Sequence, residues 1–150
     1  MLYIIGTGLY YLTDIPLRAI DKLKECEEVY LERYTNLNDI SLLPDIEKMI
    51  GKEIVLVGRE ELESDFIPKR AKMKDVALLV PGDPLSATTH VSLIKECKTL
   101  SIKYEMIHAS SIFTAVAETG LSLYKFGSTC SIPIYSQNFK PDSFFDHKKQ

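Results

Sequence analysis

Five short apolar runs alternate along this chain with segments of helical periodicity, and that alternation constrains the fold more than any other feature. The runs cover residues 2–5, 29–32, 54–57, 76–80 and 104–107. After the first, Pro16, Leu17, Ile20 and Leu23 share a helical face. A second helix runs from Asp39 to Ile50 through Leu42, Leu43, Ile46 and Met49, and Gly51 stops it. A charged stretch over 59–72 carries Leu62, Phe66 and Ile67 on one side, with a kink expected at Pro68. Val91, Ile94, Cys97 and Leu100 mark a fourth helix, through Ser101. Phe113, Val116 and Leu121 mark a fifth, weakened or ended at Gly120. Strand, loop and helix repeated five times predict an α/β fold, a mostly parallel five-stranded sheet with helices on both faces. Right-handed crossovers put the strand C-termini on one edge, so loops 6–9, 80–89 and 108–112 converge there. In open sheets that edge is where ligands bind.

The loop 80–90 reads VPGDPLSATTH. Gly82 lets backbone approach a ligand closely, and Pro81 and Pro84 stiffen the turn around it. Asp83 is its one carboxylate, an acceptor for a hydroxyl or an amine. Thr88 and Thr89 are placed to cap the helix that starts near His90. The first strand ends in Gly6-Thr7-Gly8, Asp14 is placed to cap the following helix, and Pro16 suits its first turn. The longer dinucleotide fingerprint fails because Tyr11 stands where its last glycine belongs, which disfavours a Rossmann dehydrogenase. Ser110 or Ser111 caps the last helix. Glu32 reads as a solvated charge at a strand end, and His90 and His108 read as structural residues.

A length of 150 residues suits one domain with a sizeable core. The net charge of −3 argues against a dedicated nucleic-acid binder. No apolar run approaches a membrane span, and no basic leader precedes the first strand. Cys26, Cys97 and Cys130 are scattered without metal-ligand spacing and read as reduced thiols. A soluble cytoplasmic protein without a metal site is the expectation.

The loop VPGDPLSATTH resembles the corresponding loop of diphthine synthases, members of the tetrapyrrole-methylase-like class of S-adenosylmethionine-dependent methyltransferases. MLYIIGTGLYYLTDIPL is similar to that family's MLYLIGLGLGD opening and the D-I-T segment after it. Gly6, Gly8, Leu9, Asp14 and Ile15 match, and Tyr10 and Tyr11 replace a glycine and an acidic residue. Glu32-Arg33-Tyr34-Thr35 resembles VYLEAYTS, and Ser111-Ile112 closes a loop like HNASI. Leu123-Tyr124-Lys125-Phe126-Gly127 and Ser131-Ile132-Pro133-Ile134-Tyr135 resemble LYRFGKT–VSIPF. Phe139, Pro141, Ser143, Phe144 and Phe145 partly match a W-R-P-E-S-F-Y pattern.

The resemblance implies an N-terminal cofactor-binding domain over 1–131, with 132–150 a linker opening into a second domain. It implies S-adenosylmethionine as cofactor, bound through Leu9, Asp83, Ser86, Ser111 and Ile112. It also implies methylation of a modified histidine on translation elongation factor 2, and a homodimer at full length. Another methyltransferase of the class, acting on a tetrapyrrole or ribosomal RNA, and a non-catalytic binding or dimerisation module stay open as alternatives.

Overall fold

The computed structural model describes residues 1–35, 40–86, 88–130, 132, 135 and 140–142. Asp39, Ala87, Ser131, Pro133, Ile134, Phe139 and 143–145, which the sequence reading used, lie outside the described residues. The chain forms two compact units, Met1–Ala115 and Val116–Gln150.

In the first unit the strands are β1 (Leu2–Gly6), β2 (Glu28–Glu32), β3 (Ile54–Val57), β4 (Val76–Val80) and β5 (Tyr104–Ile107). Every pairing is parallel, in the order β3-β2-β4-β1-β5. β1 and β4 are buried along their whole lengths, as near-continuous Val/Ile/Leu runs are when both faces of a parallel sheet are covered.

Alternate residues feed two cores. On one face Tyr3, Ile5, Leu31 and Leu79 pack with Ala19 and Leu23 of α1 (Leu17–Glu25) and Ile46 and Ile50 of α2 (Leu43–Ile50). On the other, Ile4, Tyr30 and Leu78 pack with Ile67 and Ala71 of the helix Phe66–Ala71 and Leu93 and Cys97 of the helix Val91–Thr99. Helices therefore cover both faces, as expected. Leu17, Met49 and Val91, read as face residues, are exposed; the buried stripes run one or two positions away.

The charged stretch after β3 is two helices, α3 (Arg59–Leu62) and α4 (Phe66–Ala71), with α5 (Val91–Thr99) following β4. The break falls before Phe66 and not at Pro68. The Ser64 hydroxyl donates to the Glu61 carbonyl and accepts the Phe66 N–H, which turns the chain. Pro68 lies in the first turn of α4, where no intrahelical N–H is needed. Of the helix expected after β5, only α6 (Ile112–Ala115) is α-helical, and Val116–Thr119 is 3-10. None of these eight residues is buried, so no packed face supports a longer helix. Gly51 caps α2 in the left-handed conformation, as its position predicts.

The second unit carries the 3-10 turns Val116–Thr119 and Leu123–Lys125, with Tyr124 exposed. No helix among the described residues is long and apolar enough to cross a membrane.

Candidate functional site

The strand order places β1 between β4 and β5, so the loops that leave their C-terminal ends are neighbours. β1 and β4 remain coupled beyond the sheet. Thr7 N–H donates to the Val80 carbonyl, and Gly8 and Gly82 exchange N–H···O bonds of 3.2 and 3.0 Å. Gly6 sits where all three loops meet. A methyl group there would lie 2.6 Å from the Gly82 carbonyl oxygen, 2.8 Å from Ala109 Cβ and 3.0 Å from Pro84 Cδ. Gly8 has φ +76°, and a Cβ on it would collide with Asp14 at 2.2 Å. Glycine is required at both positions, for contact at the first and for contact and conformation at the second.

The converging loops enclose a cavity of about 200 Å³ lined by residues of the first unit. All five residues named from sequence, Leu9, Asp83, Ser86, Ser111 and Ile112, line it. Thr35 and Thr88, which the sequence reading did not assign to a site, line it as well. Leu9 and Ile112 are exposed apolar side chains, and Asp83 is buried. The Asp83 Oδ1 accepts the Leu85 N–H at 3.0 Å and the Ser86 hydroxyl at 3.4 Å. Its Oδ2 lies 2.7 Å from His108 Nδ1. Burial alone would raise the Asp83 carboxyl; the Leu85 N–H, then the His108 imidazole and the Ala109 N–H, outweigh it and hold the group below its ordinary value. His108 itself is mostly exposed at the rim, with its side chain 59% accessible. It positions Asp83, a role visible only once β5 lies near the loop after β4.

Several expected caps are redirected. Asp14 does not cap α1. Its Oδ2 accepts the N–H groups of Leu9 and Tyr10, each at 3.2 Å, and the Ser110 hydroxyl at 3.3 Å. Thr88 and Thr89 do not cap α5. The Thr88 hydroxyl donates to the Pro84 carbonyl, and the Thr89 hydroxyl pairs with the Tyr34 hydroxyl. Ser111 does cap α6, its Oγ accepting the Phe113 N–H at 3.2 Å. Tyr10 has φ −96° with its ring in solvent, so a tyrosine is tolerated where the resembled loop has glycine. Glu32, expected to be solvated, is 1% exposed. Its Oε1 accepts the N–H and the hydroxyl of Thr35, and its Oε2 lies 3.1 Å from His90 Nε2.

These bonds weight the cavity toward hydrogen-bond acceptors. The N–H groups of Gly8, Leu9, Gly82 and Ser86 are all committed inside the protein. The hydroxyl protons of Thr35, Ser86 and Thr88 are committed to Glu32, Asp83 and the Pro84 carbonyl. Among the described residues no lysine or arginine lines the space. Among these groups, what is left to face inward is mainly acceptor lone pairs beside an anionic carboxylate, with the Ser111 hydroxyl as a donor. Phosphate sites need the reverse, free N–H groups or cations; here the Asp14 carboxylate occupies the N–H groups of the glycine turn. The wall suits a ligand bearing hydrogen-bond donors or positive charge. Among the described residues no group of three or more His, Cys, Asp or Glu side chains is placed to hold a metal ion.

Residues 1–140 match the family model of the tetrapyrrole (corrin/porphyrin) methylases. The chain is 46% identical over 147 residues to diphthine methyl ester synthase 2 of Candida albicans, covering 97% of this chain and 49% of that protein. It is 44% identical over 152 residues to the diphthine methyl ester synthase of Schizosaccharomyces pombe, covering 100% of this chain and 53% of that protein. A crystal structure of diphthine synthase superposes with a TM-score of 0.77 at 40% identity, over 84% of this chain and 51% of that one. The chain thus spans about half the length of the curated relatives it matches.

Proposed function

Because the chain belongs to the tetrapyrrole (corrin/porphyrin) methylase family, we propose that its cavity is the S-adenosylmethionine half-site of a diphthine methyl ester synthase. The observation that carries this reading is the acceptor-lined, cation-free wall around Asp83. The cofactor brings a sulfonium and an ammonium, the two features such a wall favours, and no phosphate. When bound it supplies a methyl carbon already activated by the positive sulfur. The chain's own task is then to bind, orient and keep water away, since positioning and desolvation lower the barrier to transfer.

The residues divide that task. Leu9 and Ile112, exposed apolar residues of the lining, offer apolar cover to the nucleoside. Asp83, held ionised by Leu85, His108 and Ala109, draws the cationic end. Ser86 and Ser111 line the cavity as well, and the Ser111 hydroxyl proton is available to an acceptor on the ligand. A cavity of about 200 Å³ is smaller than the ~300–1,000 Å³ typical of small-molecule sites. The length that the relatives have beyond this chain supplies the other wall, with 1–131 as the cofactor domain and 132–150 the passage into the second.

The acceptor is the modified histidine of translation elongation factor 2, met in the cytoplasm by a homodimer of the full-length protein. Its amino group must arrive unprotonated, and its carboxylate needs no base. Isothermal titration of this chain with S-adenosylhomocysteine and with ADP tests the cofactor reading. Binding of the first and not the second is expected. A folded chain that binds neither, or binds ADP as well, would overturn it.

A further inference from the structure

The turn after β2 reaches the cavity by an unusual support. Glu32 is the last residue of β2, and His90 stands immediately before α5. Their side chains are 0% and 3% exposed, and Oε2 and Nε2 approach to 3.1 Å. The approach is off the line of a hydrogen bond, so those two atoms and His90 Nδ1 are buried without an aligned protein partner. Taking a carboxylate so far from water is costly unless it is paired and bonded. The compensation comes from Thr35, which gives both its N–H and its hydroxyl to Glu32 Oε1. Tyr34, the residue before, ties to Thr89 through their hydroxyls. Two links thus join the β2 turn to the end of loop 81–90, and the side chain they leave facing the cavity is Thr35.

We propose that Thr35 is a cofactor-binding residue, accepting a hydrogen bond from the ammonium end of the ligand, and that the buried Glu32–His90 pair positions it. The inference rests on the S-adenosylmethionine reading above. With its proton given to a carboxylate, the Thr35 oxygen presents only lone pairs to the cavity and is a stronger acceptor for the polarisation. Asp83 lines the same small space, so the potential between the two favours a cation.

The test compares S-adenosylhomocysteine with 5′-methylthioadenosine, which lacks the amino-acid end, by calorimetric titration of the chain. Thr35→Val removes the hydroxyl at an exposed position and should weaken S-adenosylhomocysteine about three- to tenfold, the scale of one hydrogen bond. Methylthioadenosine should bind that variant as it binds the wild type, and Thr35→Ser should restore the first affinity. Equal loss for both ligands, or loss for neither, would overturn the contact. Glu32→Gln keeps the size and an acceptor oxygen but removes the charge. It should speed amide exchange at Thr35 and weaken S-adenosylhomocysteine alone. Should that variant fail to fold, Tyr34→Phe cuts the second link and gives the same exchange readout. Unchanged exchange in a folded variant would overturn the positioning role. A wild-type chain that binds neither ligand would defeat the cofactor reading and the Thr35 contact together, while amide exchange would still decide the positioning role.

Discussion

Replacing Gly6 by alanine tests whether the three loops form one unit. The added methyl would stand 2.6 Å from the Gly82 carbonyl oxygen, 2.8 Å from Ala109 Cβ and 3.0 Å from Pro84 Cδ. Ordinary contact begins at 3.4 Å, so two loops must retreat by several tenths of an ångström, and one of the opposing atoms is backbone that no rotamer change can move. Overpacking of this kind costs about 1–3 kcal/mol, which at roughly 4 °C per kcal/mol lowers the melting temperature by about 4–12 °C. Gly82 lines the cavity, while Pro84 and Ala109 precede Ser86 and Ser111, so retreat of these loops displaces the site itself. Loss of one well-placed contact costs about tenfold in affinity, so S-adenosylhomocysteine binding should weaken about tenfold. Gly51→Ala provides the contrast. Gly51 has φ +73° with open space around its Cβ position, so alanine there costs about 1 kcal/mol of backbone strain and no displacement. Thermal unfolding and calorimetric titration of both variants separate the cases. Gly6→Ala binding as the wild type does, or Gly51→Ala losing affinity too, would refute the reasoning.

Three further outcomes follow from the same structure. The Lys74 ammonium, then the Tyr30 hydroxyl, hold the Glu28 carboxyl down to about 2 against the opposing effect of burial, and Arg70 adds to them. The gap from the ordinary value of about 4.3 is worth at most about 3 kcal/mol, and exposure of Arg70 and Lys74 reduces that to about 1–2. Because the folded value is depressed, the stabilisation is complete above about pH 5 and disappears as the pH falls from there to about 2. Urea unfolding of Glu28→Gln should therefore differ from wild type at pH 7 and converge with it near pH 2; a gap that persisted there would refute the pairing. Asp83→Asn should weaken S-adenosylmethionine about tenfold, as loss of a charge-assisted bond does, and unchanged affinity by calorimetry would remove Asp83 from the site. Among the described residues the buried Thr7 hydroxyl has no partner, so Thr7→Val should be neutral or stabilising by up to ~1 kcal/mol in thermal unfolding; a clear loss would overturn that reading.

What the sequence withheld is partly long-range pairing and partly local competition, since Asp14 and Thr88 bond groups only four or five residues away. β1 and β4 were legible because a strand buried on both faces must be apolar along its length, and β2, β3 and β5 because each is a short run rich in Val, Ile, Leu, Tyr or Met, properties read within four or five residues. The Ser111 cap and the Gly51 stop were legible for the same reason, since each bond lies within its own turn. Asp14, Thr88 and Thr89 had equally good local credentials, yet spend their oxygens elsewhere. Asp14 bonds the backbone of the glycine turn, and Thr89 meets Tyr34 across 55 residues. Pro68 was read as a kink because its local rule is strong, but Ser64 had already turned the chain.

The two carboxylates of the site carry the argument furthest. Asp83 was found because its loop has a recognisable order, though nothing local shows that His108 holds one of its oxygens from 25 residues away. Glu32 was misread because a glutamate that ends a strand is ordinarily solvated, and its burial depends on α5 setting His90 over the end of β2. Each carboxylate fixes hydroxyls that face the cavity, Ser86 in one case and Thr35 in the other, and each takes the proton and leaves the lone pairs. The acceptor character of the wall is therefore a product of tertiary pairing. No single loop encodes it, so substitutions at Glu32 or His90, outside the cavity lining, should alter ligand preference by the same route as substitutions within it.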